Sequence, residues 1–492
     1  MKLKKFLAGV LSLVMAGTLL SGCGGASEDE AVTLRYIMPG PGMQANSQAV
    51  WSAFNDKLHE KLPNVSVEFE VIPLAEYNQK VMLMISAREQ IDIINNYGLD
   101  FATEVSNGTF APMKALLDEY GQDVKQALPA WLWDYETVGD EIYGIPSYQM
   151  MGQTRCICIL KEYADKFLDV DALRAAIDSS PVWSPAVYEI LDQFCADVKA
   201  SGVNFKSTSI LNLKGYDTIT GSYGIRYGDD TCEVVNIYAN PDADIRYQTA
   251  REWMEKGYIR SDALSCTDEA NYNGKPEGNL FWDEVYSPYV AETLSKQYGN
   301  EIITIPYDME PYIGYKALAG GTSIMESSKY KEQAMQVLNL LQTDKELFNL
   351  LVFGIEGTDY KKIDENRIET SYDSSPTAND SYGLYKWIVG NTSLAYNIQS
   401  EPDGYNEWAF EEVNNSPNRS KLMGFQPDVS QIQDMLSQTA AITTQYRKPL
   451  DAGAVPDWEA HYSEYKEKLK TAGDDQIIAE LQRQVDEFLK NK

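Results

Sequence analysis

The chain has 492 residues, and its 73 acidic residues outnumber its 42 basic residues, so the net charge is −31 at pH 7. Nucleic-acid binding needs a basic footprint, so this class of partner is excluded. The length predicts two or three domains with sizeable cores. Tyrosine and tryptophan number 32 and 9 against 14 phenylalanines. This balance favours a site that is both apolar and hydrogen-bonding, although tyrosine also replaces phenylalanine on soluble surfaces.

The N-terminus has the layout of a secretory signal. Three lysines precede an apolar stretch at residues 6–20, which is shorter than the roughly 20 apolar residues of a membrane-spanning helix. The stretch ends in Leu20-Ser21-Gly22-Cys23, which resembles the lipobox of bacterial lipoproteins. The resemblance implies that residues 1–22 are removed and that Cys23 is lipidated. Residues 23–31 then form an acidic tether. The alternative is an ordinary signal peptide that ends near a cysteine.

The start of the body predicts an alternating order of strands and helices. Apolar spacing predicts a strand at 32–38, a helix at 49–62, an alternating strand at 65–71, a helix at 76–87 and a short buried strand at 91–94. This β-α-β-α-β order is typical of a doubly wound α/β lobe.

Two loops follow strands at the carboxyl edge of this expected sheet, where α/β proteins bind ligands. They are residues 39–46 and 95–98, and they contain Gln44, Asn96 and Tyr97. Neutral amides beside an aromatic ring suit a hydroxyl-rich ligand, but asparagine and glycine serve plain turns equally well.

Five cysteines follow Cys23, and an odd number argues against a disulfide framework. Cys156 and Cys158 lie two residues apart in a strand-like run and are expected on one side of a sheet. We expect them to be buried apolar residues, because zinc would need a second pair of ligands. The sequence predicts neither a metal site nor a cofactor.

An enzyme is the rival class. His59 and His461 are the two histidines, and the chain has no HExxH, G-x-S-x-G or phosphate-loop motif. We therefore predict that the protein is not an enzyme. A glycosidase needs only two carboxylates, so a secreted glycosidase stays an alternative, as does a surface lipoprotein without a transport role.

The segments that carry a family resemblance occur in a fixed order along the chain. They are residues 140–146 (DEIYGIP), 278–282 (GNLFW), 320–344, 354–360, Trp387 with 390–391, and 424–425. Together with the lipobox they resemble the extracellular solute-binding proteins of ABC importers, in particular the maltodextrin-binding-like sugar binders of family 1. The later segments resemble a subgroup of Gram-positive lipoproteins that ends in an extra domain of unknown function.

The resemblance implies an α/β protein with the two-lobed, type II fold of periplasmic binding proteins. Each lobe would be a doubly wound sheet, hinge segments would cross between them, and a helical extension would follow. Lobe one would be 32–145 with 305–345, and lobe two would be 146–304 with 346–492. The crossings would lie near 143–147, after 301–306 and near 344–354.

The implied function is the substrate-binding component of an ABC transporter at the extracellular face of the cell membrane. It would capture a carbohydrate between the lobes and deliver it to the permease subunits. The tyrosine content and the extra domain favour an oligosaccharide. The resemblance further implies a monomer that is held at the membrane only by its N-terminal lipid.

The resemblance also implies site residues. Trp282 stands where sugar-binding relatives carry an aromatic platform, and Asp283 beside it is a candidate acceptor for hydroxyl groups. Tyr148, Tyr223 and Trp387 are further candidates, although each is equally compatible with a place in a core. At the C-terminus, an apolar stripe from Ile477 to Leu489 behind the N-cap candidate Asp474 predicts a packed helix.

Overall fold

The structure is a computed structural model that describes residues 31–492, except 153, 208–209, 213, 267–268, 309 and 317–319. The predicted signal peptide at residues 1–22 and the lipidation site Cys23 lie outside the described residues. Across the part that is described, no helix combines the length and the apolar composition that a bilayer span requires.

Strands and helices alternate along most of the chain. The strands are β1 (Val32–Gly40), β2 (Val65–Pro73), β3 (Ile93–Asn95), β4 (Thr137–Val138), β5 (Glu141–Ile142), β6 (Ile145–Pro146), β7 (Arg155–Leu160), β8 (Tyr216–Thr220), β9 (Tyr223–Arg226), β10 (Val235–Asn236), β11 (Phe281–Val285), β12 (Ile302–Pro306), β13 (Gly321–Ile324), β14 (Tyr360–Lys362), β15 (Arg367–Thr370) and β16 (Asn397–Ile398). The helices are α1 (Ser47–His59), α2 (Tyr77–Ser86), α3 (Phe101–Ser106), α4 (Lys114–Tyr120), α5 (Gln122–Ala127), α6 (Lys161–Phe167), α7 (Val170–Asp178), α8 (Pro185–Ala200), α9 (Pro241–Glu255), α10 (Val290–Tyr298), α11 (Lys331–Leu341), α12 (Lys345–Phe353), α13 (Lys386–Val389), α14 (Tyr405–Glu407), α15 (Gln433–Asp451), α16 (Trp458–Thr471) and α17 (Asp474–Asn491).

The first lobe is built on a five-stranded sheet in the order β2-β1-β3-β13-β6. β1 is parallel to both β2 and β3, and β13 joins antiparallel to β3. Alternate residues of β2 are buried, and Phe69 packs edge-on against Phe54 of α1 with ring centroids 5.1 Å apart. The predicted β-α-β-α-β start is therefore confirmed.

The segment that follows β13 stays in the first lobe. Asp344 caps α12 by accepting the backbone amides of Glu346 and Leu347, and Leu347 and Phe348 are fully buried in the same core as β1. Ile368 and Ile398 belong to that core as well. We expected the chain to cross near 344–354 and residues 346–492 to belong to lobe two. Both expectations are wrong for α12, because its apolar face is buried against α1 of the first lobe.

The second lobe contains the three-stranded sheet β11-β7-β12, whose neighbouring strands are all antiparallel. The resemblance implied a doubly wound sheet in this lobe. The three described strands instead pair antiparallel, with β7 between β11 and β12. Cys156 and Cys158 of β7 are fully buried with their sulfurs 3.8 Å apart, so they lie on one side as predicted. They form part of the apolar core that the flanking helices cover.

The C-terminal helices pack on the hairpin of β8 and β9. Ile477, Leu481 and Val485 of α17 are buried against Ile219 and Tyr223, which confirms the predicted apolar stripe. The cap position is Gly473, with φ of +102°, and Asp474 is the first residue of the helix. The Asp474 carboxylate instead accepts hydrogen bonds from the Tyr223 hydroxyl at 2.8 Å and from the Asn236 amide at 2.7 Å.

Candidate functional site

A cleft lies between the two lobes near the segments where the chain crosses. Two cavities of about 420 and 520 Å³ share Thr220 and Lys316 and together form this cleft. Each volume lies in the range that is typical of small-molecule sites. The first lobe contributes residues 96 and 98–101, Tyr135, Glu136 and Gly320. The other wall comes from residues 217–221, 227, 312, 314–316, and 425–427 and 429 of the C-terminal segment.

Asn96 fixes the wall on the side of the first lobe. Its amide nitrogen donates to a carboxylate oxygen of Glu136 at 2.7 Å and to Ser323 Oγ at 3.2 Å. Its amide oxygen accepts the backbone N–H of Gly321 at 2.6 Å. Because these bonds join β3, β13 and the segment before β4, the loop after β3 is held in one position.

Glu136 sits at the floor of the cleft and is only 3% exposed. A Cβ atom at Gly144 or Gly321 would come within 2.1 or 2.4 Å of its carboxyl oxygens, so a larger residue at either position would force this side chain to move. Gly144 lies in the crossing expected near 143–147, and its lack of a side chain leaves room for the Glu136 carboxyl group. Burial raises the pKa of Glu136 to about 8, against the smaller opposing effect of the hydrogen bond from Asn96.

Asp217 is the buried acid of the opposite wall, with 5% exposure. Its carboxylate accepts a bond from the Tyr312 hydroxyl at 3.4 Å and one from the backbone N–H of Tyr315 at 3.3 Å. Burial raises the pKa of this carboxyl, and the hydrogen bonds oppose that rise. Asp217 is therefore held in place by Tyr312 and Tyr315, which belong to the same wall.

Tyr227 and Tyr312 stack on one another in the same wall, with ring centroids 3.7 Å apart and 17° between the planes. Both line the cleft, and Tyr227 is only partly buried. The Tyr135 hydroxyl of the first lobe donates to the carbonyl of Gly314 at 2.5 Å and links the two walls. The cleft thus combines flat aromatic surface with fixed polar groups.

Three of the predicted site residues come from the loops 39–46 and 95–98, and of these only Asn96 lines the cleft. The side-chain amide of Gln44 is occupied by the carbonyl of Thr377 and the N–H of Gly383, so it holds a loop. Tyr97 packs edge-on against Trp387 at 5.5 Å, outside the residues that line the cleft.

Trp387 also stacks on Tyr385 with 9° between the ring planes. Tyr148 packs edge-on against Phe410 at 5.0 Å. Neither Trp387 nor Tyr148 lines the cleft. The structure therefore places these two predicted residues in aromatic packing between segments.

Tyr223 is 1% exposed and bonds to Asp474. It borders a cavity of about 240 Å³ that shares Thr220 and Gly221 with the cleft. The Tyr223 ring packs between the β8–β9 hairpin and the C-terminal helices. Tyr223 therefore lies next to the cleft and does not form the surface of the cleft.

Trp282 is a core residue in this structure, and the expectation of a platform in the cleft is corrected. The side chain is 6% exposed, pairs across the sheet with Cys158 and meets Tyr298 of α10 edge-on at 6.0 Å. Asp283 accepts the N–H of Asn212 at 2.9 Å, and burial raises the pKa of its carboxyl to about 6. Both residues lie within β11 and not in the loop that follows it.

Sequence reasoning missed Glu136, Asp217, Tyr227 and Tyr312. A weak signal existed for Tyr227, which follows a tyrosine-rich hairpin, but the pattern does not separate it from Tyr223. Within the described ranges, no group of three or more His, Cys, Asp or Glu side chains is arranged to hold a metal ion.

Comparison with known proteins gives a consistent result. Residues 421–490 match the family model "Domain of unknown function (DUF3502)". Over 450 residues the chain is 26% identical to a carbohydrate ABC transporter substrate-binding protein of Streptococcus pneumoniae, which covers 89% of this chain and 87% of that protein.

Among solved structures, the N-glycan transport solute binding protein NgtS of S. pneumoniae gives a TM-score of 0.71 at 24% identity, covering 93% of this chain and 99% of that one. NgtS in complex with Man1GlcNAc gives 0.60 at 23% identity, with the same coverage. An HMO-binding, ABC-transporter-associated solute binding protein of Bifidobacterium longum infantis gives a TM-score of 0.63 at 15% identity, covering 94% of this chain and 100% of that one. The chain therefore has the two-lobed α/β fold of type II solute-binding proteins and is similar in sequence to a carbohydrate ABC transporter substrate-binding protein.

Proposed function

We propose that this protein is the substrate-binding component of an ABC importer and that it captures an extracellular carbohydrate in the cleft between its lobes. The observation that carries the proposal is the composition of that cleft. Stacked Tyr227 and Tyr312 line one of its two adjoining cavities, and Asn96 and Glu136 of the first lobe line the other. The permease subunits that receive the sugar are the implied partners.

The chemistry of a sugar fits these groups. One face of a pyranose presents C–H bonds that pack against an aromatic ring, and its hydroxyls need paired donors and acceptors once water is removed. The Asp217 carboxyl group provides an acceptor, and Lys316 provides a donor at the junction of the two cavities. Closure of the lobes about the crossing segments would exclude water. The complexes of NgtS with Man1GlcNAc and Man5GlcNAc favour an oligosaccharide as ligand.

Binding without hydrolysis is the second part of the proposal. A glycosidase needs two carboxyl groups that flank the scissile bond. Here Glu136 is enclosed by two glycines and bonded to Asn96, and Asp217 accepts two bonds from its own wall. Both acids are engaged in holding the walls, which favours binding over the alternative of a secreted glycosidase.

We also propose how the protein is anchored and divided. Residues 1–22 are removed, lipidated Cys23 enters the outer face of the cell membrane, and residues 23–31 tether a monomer. Lobe one is formed by 32–145 and 320–345, extended by 346–398 because that segment packs in its core. Lobe two is formed by 146–316, with the C-terminal helices attached through β8 and β9. The boundary expected at 305 is moved to 320 because β12 pairs with β7 and Tyr315 packs with Ile219.

A thermal-shift screen of the delipidated protein against a glycan panel tests the function. A ligand that binds only the folded state raises the unfolding midpoint by mass action. We expect at least one neutral oligosaccharide to raise Tm and to be recovered intact after long incubation. Absence of any shift with glycans, combined with a shift by an amino acid or a peptide, would contradict the carbohydrate assignment. Cleaved product would contradict the transport role.

A further inference from the structure

A second groove lies outside the cleft, between the hairpin of β4 and β5 and the C-terminal helix α17. Its volume is about 590 Å³, which is larger than either cavity of the cleft. One wall is formed by Asp134 and residues 137–140 of the first lobe. The opposite wall is formed by residues 423–426 and by one side of α17.

The groove adjoins the cleft. Phe425 and Gln426 line both, so a chain molecule that extends from the cleft past these residues is directed toward the groove. Gln426 is exposed, and among the described residues its side chain has no protein hydrogen bond. This amide is therefore available to a ligand at the junction.

The lining of the groove repeats the chemistry of the cleft. Phe488 of α17 is partly buried, and its ring lies 5.4 Å from that of Phe425. Glu487 and Asn491 are exposed on the same helix, and Asp140 is exposed on the hairpin opposite. Flat aromatic surface next to amides and carboxylates suits sugar rings and their hydroxyls.

The charge of the groove selects among sugars. Asp134, Asp140 and Glu487 contribute three carboxylates, and Lys492 contributes the one ammonium group of the lining. That ammonium is engaged with the carbonyls of Lys421 and Met423 at 3.3 and 3.1 Å. An acidic lining of this kind repels carboxylate and sulfate groups and leaves neutral hydroxyls as partners.

We propose that this groove is an outer subsite for further residues of a neutral oligosaccharide whose first residues occupy the cleft. The inference rests on the proposed function and deepens it, because it gives the ligand a minimum length and gives the C-terminal domain a role in binding. Since its walls come from the first lobe and from the C-terminal domain, an oligosaccharide in the groove contacts both and strengthens binding beyond what the cleft provides.

Calorimetry with short and long members of the same glycan series tests the subsite. The probes are maltose and maltohexaose, cellobiose and cellohexaose, and Man1GlcNAc and Man5GlcNAc, with hexamannuronate as the anionic probe. For the series that binds, we expect the long member to bind about tenfold tighter or more. The double variant Glu487→Ala, Asn491→Ala changes residues that line the groove and not the cleft, and it should lose this advantage while its Kd for the short member stays within about twofold.

Glu480→Ala is the matched control. Glu480 and Glu487 both pair with Arg483, at 2.6 and 3.0 Å, but only Glu487 lines the groove. The control variant should keep the advantage of the long glycan. Both substituted positions of the double variant are exposed, and an unchanged Tm verifies that it folds.

The outcomes are distinguishable. Equal affinity for the short and long members in the wild type, or an unchanged advantage in the double variant, would overturn the subsite and leave the cleft intact. Tighter binding of hexamannuronate than of every neutral hexasaccharide would overturn the neutral class. Failure of every probe to bind would count against the carbohydrate function itself, and the subsite would fall with it.

Discussion

The side-chain amide of Asn96 donates to the carboxyl group of Glu136 at 2.7 Å, and this pair joins the end of β3 to the floor of the cleft. In the described structure this is the one hydrogen bond that affects the pKa of Glu136, and burial outweighs it. The pair therefore holds a carboxyl group that stays largely protonated at neutral pH.

The Glu136 carboxyl group should make stability depend on pH. Its pKa rises from 4.5 in the unfolded chain to about 8 in the folded protein, so between these values the folded state binds more protons than the unfolded state. Its contribution to the free energy of unfolding is full below about pH 4.5 and falls as the pH rises to about 8, by up to about 1.4 kcal/mol per pH unit. Glu136→Gln should remove this fall. Urea unfolding of both proteins from pH 5 to 8 measures it.

Asn96→Ala is the control for the pH experiment. It keeps the Glu136 carboxyl group and removes the hydrogen bond that opposes the rise in its pKa. We expect the fall in stability with pH to persist in this control. If the curves of Glu136→Gln and the wild type were parallel, Glu136 would not be the titrating group.

Tyr227→Ala should weaken binding of the glycan found in the screen by about thirtyfold or more, because an aromatic contact at a binding hot spot contributes roughly 2 kcal/mol. Tyr227 is partly buried, so the fold should persist. Tyr120→Ala removes a partly buried tyrosine of the first lobe that does not line the cleft, and its affinity should be unchanged. Calorimetry measures the affinity of both variants for the glycan. Equal affinities would show that the sugar does not contact Tyr227.

Trp282→Ala should destabilise the second lobe. Truncation of a large aromatic side chain in a core costs about 3–5 kcal/mol, and Trp282 packs against Tyr298 in such a core. Trp387→Ala, at a partly buried position, should cost less. Urea unfolding measures both. If Trp282→Ala kept the wild-type stability but lost affinity for the sugar, Trp282 would be the aromatic platform that the resemblance implied.

The cysteines should react as thiols. Cys156, Cys158, Cys195 and Cys232 are buried without disulfides. Thiol counting should therefore give at least four equivalents in denatured, delipidated protein and fewer in the native protein, where burial blocks the reagent. Metal analysis should find no stoichiometric zinc. Absence of reactive thiols after denaturation would show that disulfides form.

Cys23→Ala should release the protein from the membrane fraction. The lipobox-like Leu20-Ser21-Gly22-Cys23 motivates this prediction, and two acyl chains hold a protein at a membrane where one binds only marginally. The intact mass of the wild type should lack residues 1–22 and include a diacylglyceryl group. Unchanged membrane retention of the variant would contradict the lipid anchor.

Local patterns in the sequence determined the elements whose partners are close along the chain. The alternation in β2, the helical spacing of α1 and the stripe of α17 each depend on which side of one element is apolar, and periodicity expresses this directly. The burial of Cys156 and Cys158 followed from the same kind of reasoning. The order of the family-like motifs along the chain predicted the fold class.

Only the tertiary structure decided which residues line the cleft. Asn96 and Ser323 are 227 residues apart, and Asp217 and Tyr312 are 95 apart, so each pairing depends on how distant segments pack. The same holds for α12, whose apolar face could cover either lobe, and for Trp282 and Tyr227. A buried tryptophan and a tyrosine in a cleft have similar local sequences, and they differ in what the rest of the chain places against them.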